Sequence, residues 1–321
     1  MKSVSELTDF YYKALYPTLE RLEKKRKALS HRIIYSYIIL GTLALLIGSA
    51  LRELFSDSPD AIGFFLALLL AIAVFLYKLL SKGYIEQFKK GVMHPLVKEA
   101  HNGLEYRCDA FISEARYEAS ELFSHADRYG GNDYISGSIE GVKIEFSDIH
   151  AQKEHRDSKG RKSYSTIFQG VFIVTEFNKH FSSKTFILPD SAQKSFGDLI
   201  GSWLQSKNPM RGELIKMDDA AFEREFVVYG SDQIEARYIL SHAVMQRLLE
   251  FRRKSRHPIS LSFVNAQMYI AIHYGKDMFE PSIFTSLLKH SLAMEYIQNL
   301  TLLVGLINEL KLNQKLWSKH E

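Results

Sequence analysis

Cysteine is almost missing from this chain. Cys108 is the only one among 321 residues. A disulfide within the chain is impossible, a four-cysteine zinc site is excluded, and a single thiol suits a reducing compartment. Phosphate loops are missing too. Gly130-Gly131 and the stretch from Gly137 to Gly141 do not form GxxxxGK[ST]. No GxGxxG stands between a strand and a helix, so nucleotide hydrolysis is disfavoured. The histidines form no metal signature. His150 and His155 straddle a strand end and a loop, while His180, His242, His257, His273 and His290 are dispersed; zinc needs ligands at tight spacing or from a convergent core. A net charge of +4 is mild and carries no nucleic-acid signal. No cofactor is expected.

What the chain does have is two long apolar runs. Ile33 to Leu51 contains no Asp, Glu, Lys or Arg, and Ala61 to Leu80 contains only Lys78, one turn from its end. About nineteen residues at 1.5 Å each span roughly 28 Å, close to a bilayer core of about 30 Å. Each Ile or Leu favours insertion by about 0.3–0.6 kcal/mol. The Lys78 stem can snorkel to the headgroups. A buried helical hairpin of a soluble protein is the alternative, but core helices are usually shorter. The pattern therefore predicts a transmembrane hairpin over 33–80. Lys24, Lys25, Arg26, Lys27 and Arg32 precede the first run, and Lys78, Lys82, Lys89 and Lys90 close or follow the second; the connecting loop holds one Arg and three acids. Positive-inside places both ends in the cytoplasm. Lys24, Lys25, Arg26, Lys27 and Arg32 are expected to sit at the lipid surface, since the turns around them, Leu22 to Arg32, look too charged to be buried. A basic segment before the first run and a second run after it argue against a signal peptide.

Around the hairpin, Ser3 with Glu6 reads as a capping box for a helix to about Arg32, kinked at Pro17. A helix from Tyr84 to about His101 is interrupted by Pro95, and a short one is expected near Ser113 to Phe123. The texture then alternates. Val142, Ile144 and Phe146 against Lys143, Glu145 and Ser147 form a half-buried strand, with Glu140-Gly141 at a turn. A polar loop is expected over His150 to Lys162. Strands follow in SYSTIFQGVFIVTEF, KTFILP, GELIKM, EFVVYG and the hairpin ISLSFVNAQMYIAIHY. Helices are predicted after Asp190, after Asp219, after Asp232, over Ser241 to Arg253, and from Pro281 to about Trp317. The apolar stretch NLTLLVGLI within the last is too short for a third crossing. Short connections between neighbouring strands favour an antiparallel sheet, so the fold class is α+β. The domains are an N-terminal amphipathic basic helix (1–32), the hairpin (33–80), a juxtamembrane helical segment (81–128) and a cytosolic α+β domain (129–321).

FQGVF (Phe168 to Phe172), MDDAAFEREFVVYGSDQIEARYIL (Met217 to Leu240) and FEPSIF (Phe279 to Phe284) resemble a bacterial family catalogued as a domain of unknown function, number thirty-one thirty-seven. The resemblance implies a bacterial integral membrane protein with a cytosolic domain and assigns no activity; with the topology above, it is expected in the inner membrane. It also suggests a LemA-like membrane protein as partner.

Two clusters are the candidate sites. Asp218 and Asp219, with Glu223, could hold Mg²⁺ or Ca²⁺ through oxygen ligands, or cap a helical turn. Asp232, Glu235 and Arg237 follow the strand EFVVYG, where Arg237 could clamp a phosphate or carboxylate; a capped turn with an ion pair is the alternative. With no catalytic constellation, the leading expectation is a membrane-tethered binding or scaffold module engaging a protein or lipid headgroup. The alternatives are a membrane-proximal enzyme using Asp232 to Arg237, and an oligomeric transport accessory. Small residues in GTLALLIG could support a homo-oligomer or pack within the hairpin.

Overall fold

The computed structural model describes residues 2–52, 55, 58–177, 181–190, 212–310 and 312. The helix expected over Phe196 to Leu204 lies outside them, as does the stretch 313–317 of the last helix. The chain divides into two compact units, 1–7 with 97–279 and 296–321, and 8–96 with 280–295.

The second unit is built on helices. α1 (Val4–Lys13) ends before Pro17, which sits in the first turn of α2 (Tyr16–Ala50). Proline is tolerated there because that N–H has no helical partner, so the expected kink is a clean break instead. The Ser3–Glu6 capping box forms as expected, with Ser3 N–H donating to Glu6 Oε2 at 2.8 Å and Glu6 N–H to Ser3 Oγ at 3.3 Å. α2 then runs unbroken from the basic segment into the first apolar run. α3 (Pro59–Phe88) carries the second run and passes into a π-helical turn, Lys89–Met93, before α4 (His94–Ala100). Pro95 accounts for the turn: it cannot donate to Gly91, and widening the preceding helix relieves the clash with that carbonyl. Buried Leu19, Leu22, Arg26, Leu29 and Ile33 form a 3-4-3-4 stripe on α2, the spacing of a helix seam. By length and composition, two helices can cross a membrane, and only 6% and 0% of their most apolar windows are buried. The hairpin is thus not a soluble core.

Two charges in this unit are not where the composition put them. Glu23 and Arg26 were expected to be solvated and are buried, with side chains 8% and 9% exposed. Arg26 grips Glu23 bidentately at 2.9 and 2.7 Å and donates to the Ile283 carbonyl at 2.7 Å. Glu23 in turn accepts the Leu287 N–H at 3.1 Å. Lys89, also buried, pairs with Glu280 at 3.0 Å. These bonds hold 280–287 as irregular chain. The last helix, α9 (His290–Glu309), therefore begins nine residues later than Pro281 suggests. Lys24, Lys25, Lys27 and Arg32 remain exposed.

Among the described residues, the first unit is a nine-stranded sheet in the order β1-β2-β3-β4-β9-β8-β5-β7-β6. Its strands are β1 (Leu104–Arg107), β2 (Arg128–Ile139), β3 (Val142–Arg156), β4 (Lys162–Glu176), β5 (Thr185–Pro189), β6 (Glu213–Ile215), β7 (Phe226–Gly230), β8 (Ile259–Val264) and β9 (Gln267–Ile272). Every pairing is antiparallel. The fold is α+β as expected. Short helices α5 (Glu114–Glu118), α6 (Ala220–Glu223), α7 (Gln233–Ile239) and α8 (His242–Ser255) join the strands.

Register is locked by two tight turns. Glu140-Gly141 and Asn265-Ala266 all have positive φ, the geometry of a two-residue hairpin turn whose twist matches its strands. Cα partners then align one row across all nine strands: Tyr106, Ile135, Phe146, Ile173, Ile270, Leu261, Ile187, Val228 and Ile215. All nine are buried. β1 carries no sequence signal beyond two alternations and goes unread in the sequence. The expected polar loop over His150 to Lys162 is also shorter. β3 runs on to Arg156 and β4 starts at Lys162, because an exposed ribbon needs no apolar residues to satisfy its own ladder.

Removing one member of the buried pair should be costly. Arg26→Met, which strands Glu23, should lower stability by about 3–5 kcal/mol, and adding Glu23→Leu should restore most of it; thermal unfolding of purified protein in detergent reads both. Arg26 holds the Glu23 carboxyl below its ordinary range, so this contribution is full above that range and lost as pH falls through the lowered value. Gly170, in FQGVF, has φ +150, and an added Cβ would lie 2.1 Å from the Ile272 carbonyl oxygen. Gly170→Ala should cost more than about 1 kcal/mol in the same measurement.

Candidate functional site: a charged cleft on the sheet

The second row of the sheet lies on the opposite face. It runs through Ser136, Glu145, Val174, Tyr269, Ser262 and Phe186. Its centre is covered by the segment around α5. There Tyr117, Phe123, Phe168 and Phe172 pack in stacked, tilted and edge-on contacts 5.0–6.3 Å apart. Ser262 Oγ pins the cover by donating to the Ser120 carbonyl at 2.7 Å. Beyond the cover, a cleft of about 350 Å³ opens over β2, β3, β4 and β9, lined by Arg116, Ser136, Lys143, Glu145, Glu176 and Gln267 among others.

The cleft floor is a polar chain. Arg116 Nε pairs with Glu145 Oε1 at 2.7 Å, and Tyr134 OH donates to Glu145 Oε2 at 2.6 Å. Arg116 Nη2 donates to Gln267 Oε1 at 3.3 Å, and Tyr269 OH donates to the same oxygen at 3.0 Å. Lys143 pairs with Glu176 at 3.3 Å on the rim. Burial pushes the Tyr134 and Tyr269 hydroxyls up, so both stay protonated donors at neutral pH. The volume sits at the small end of ligand pockets, about 300–1,000 Å³. No His or Cys lines it among the described residues. This is an arrangement of charged and hydrogen-bonding side chains that can recognise a polar group.

The residues expected to form sites are placed elsewhere. Asp232 caps α7, its Oδ1 accepting from Ile234 and Glu235 N–H at 2.7 and 3.0 Å. Glu235 accepts the Ser182 and Ser183 N–H groups at 2.9 and 2.6 Å, and Arg237 donates to the Lys216 carbonyl at 3.2 Å. The three point to three different backbone segments. Asp219 caps α6 through Ala221 and Phe222 N–H at 2.9 and 3.1 Å, and its other oxygen takes Gln246 Nε2 at 2.6 Å. Those bonds, the Phe222 N–H foremost, hold its carboxyl low. Asp218 is exposed, and Glu223 Oε1 accepts the Met217 N–H at 2.9 Å. Asp219 and Asp232 thus each cap a helix, while Glu235 and Arg237 bond different backbone segments. Glu114, Glu118 and His125 are the described side chains that could share a cation; Glu118 and His125 are exposed and paired with each other. Local sequence could not reveal the cleft, because Arg116, Glu145 and Gln267 are far apart along the chain.

Residues 166–312 match the family described as Protein of unknown function (DUF3137). The DUF3137 segment runs from β4 to the end of α9 and so includes the sheet's central strands. FQGVF supplies the Gly170 approach to β9. Its MDDAAFEREF stretch supplies the Asp219 cap, and FEPSIF supplies Glu280 and the Ile283 carbonyl. No curated protein matches the chain. A solved structure, the mycobacterial trehalose monomycolate transport factor A, TtfA, aligns over 64% of this chain and 92% of its own, at 11% identity and a TM-score of 0.31. A likeness that distant carries no functional argument.

His273 gives the aromatic cover a pH dependence. Its ring meets Phe168 and Phe123 edge-on at 5.1 and 5.9 Å, and Nε2 lies 3.1 Å from Ser260 Oγ. Burial pushes it down to about 4. A half-buried imidazole held neutral stabilises fully above its ordinary value of about 6.5, and that stability falls as pH drops from there towards 4. Unfolding followed across that window should show a slope approaching 1.4 kcal/mol per pH unit from this group, and His273→Gln should remove it.

Proposed function

We propose that the chain is a membrane-anchored binding module whose sheet domain recognises a polar group at the cytoplasmic face of a bacterial inner membrane. The observation that supports this most is the exposure of the apolar helices. Phe64, Leu45, Leu46 and Leu70 are 79, 76, 67 and 66% exposed. In water that would be an apolar surface far larger than the few hundred Å² soluble proteins leave open; in lipid it is the solvated face. Helices also satisfy their own backbone groups there. Exposed Lys24, Lys25, Lys27 and Arg32 before the first run, and Lys78 and Lys82 at the end of the second, support cytoplasmic ends. The cleft at Arg116, Glu145 and Gln267 is the recognition site in this reading. Its partner is a protein or a headgroup presenting a carboxylate, phosphate or amide.

Topology is tested by single cysteines in a Cys108→Ser background. A membrane-impermeant maleimide applied to intact spheroplasts should label Ser58→Cys, in the connection between the two runs, and label Lys159→Cys only after permeabilisation. Recovery of the chain in the supernatant after detergent-free ultracentrifugation would refute the anchor itself; the reverse labelling pattern would invert its orientation.

A further inference from the structure

β3 and β4 are much longer than their neighbours require. β2 pairs with β3 only as far as Arg128 opposite Gln152, and β9 pairs with β4 only from Ile272 opposite Val171. From Lys153↔Ser165 to Arg156↔Lys162 the two strands pair only with each other among the described residues. At about 3.4 Å per residue, this ribbon carries its tip roughly 15 Å past the last flanking pair. The tip, 157–161, is tied by the Asp157 carboxylate, which accepts the Lys159 and Arg161 N–H groups at 2.9 and 2.8 Å. Glu154 braces the stem, taking Arg156 Nε at 2.8 Å, Lys162 Nζ at 2.9 Å and the Tyr164 OH at 3.1 Å. The arm is therefore a preorganised projection.

Its charge is lopsided. Arg128, Lys153, Arg156, Lys159, Arg161 and Lys162 face three carboxylates, Asp127, Glu154 and Asp157. The side chains of Arg161, Arg156 and Lys162 are 73, 65 and 52% exposed despite their pairs. Exposed pairs of this kind hold weakly, so their cations can be shared with an external anion. Arg128 stacks on the Tyr164 ring at 4.5 Å, which places an amphipathic aromatic among the cations. That combination suits a headgroup layer, where tyrosine is enriched and each cation near an anionic surface gains about 1 kcal/mol.

We propose that this β3–β4 arm is a second membrane contact, docking on anionic phospholipid headgroups. Nucleic acid has the same phosphate chemistry, but the chain's apolar helices hold every copy beside a bilayer, and tethering raises the effective concentration of headgroups above that of any free polyanion. The proposal rests on the anchored reading above.

The test uses the full chain in phosphatidylcholine nanodiscs, with and without phosphatidylglycerol. An environment-sensitive fluorophore is attached at Ser158→Cys in the Cys108→Ser background. With phosphatidylglycerol present, emission should shift to the blue and iodide quenching should drop. High salt should reverse both changes. Replacing Lys153, Arg156 and Lys159 by Gln should abolish them while the protein still incorporates. A chain that fails to incorporate refutes the anchor. A chain that incorporates but whose label ignores phosphatidylglycerol overturns the arm's assignment alone, as does a label that responds only to an added oligonucleotide.

Discussion

The sheet depends on side chains alternating with a period of two while nine strands hold one register. With that register, a single apolar row crosses from Tyr106 on β1 to Ile215 on β6, and every member is buried. A slip of one residue in any strand would send its apolar set to the opposite face. The positive-φ turns at Glu140-Gly141 and Asn265-Ala266 oppose that slip locally, and Gly170 opposes it centrally, since its backbone must approach β9 too closely for a side chain. The edge strands β1 and β6 are four and three residues long, which leaves little open ladder for another chain to join.

The cleft is a consequence of how the opposite face is covered. Tyr117 and its aromatic neighbours bury the middle of that face but stop short of Glu145, and there the row turns polar. Arg116 belongs to the covering helix and Glu145 to the sheet, so their ion pair marks the boundary between dry cover and open cleft. Tyr134 and Tyr269 flank it as donors. The same residues that end the aromatic cover therefore create a place where a polar group can be recognised.

In the helical unit, charge and apolarity are not segregated as a simple scale implies. Arg26 lies about two turns before the first apolar run and is buried because its guanidinium satisfies a carboxylate and a backbone carbonyl together. A planar guanidinium can grip a carboxylate with two parallel bonds and still reach a carbonyl, a geometry a lysine ammonium cannot reproduce. Its neighbours Lys24, Lys25 and Lys27 point the other way on the helix and stay exposed. The pair holds 280–287 as irregular chain and delays the start of α9.

The apolar runs, the hairpin turns and the helix caps were legible because each is a local signal: run length against bilayer thickness, two turn residues between alternating strands, an aspartate two or three residues before the N–H it caps. Asp219 and Asp232, read as candidate site residues, each cap a helix through one oxygen, and a carboxylate at a helix start looks the same in sequence whether it binds backbone or an ion. By itself the sequence determined the two membrane-length helices, the antiparallel α+β class and most strand positions, all set by periodicity and short-range sterics. Only the tertiary structure decided the burial of Glu23 and Arg26, the strand β1, the exposed β3–β4 arm and the cleft. Those depend on residues such as Arg116, Glu145 and Gln267 that lie tens to hundreds of positions apart, where no local pattern records which side chains will meet.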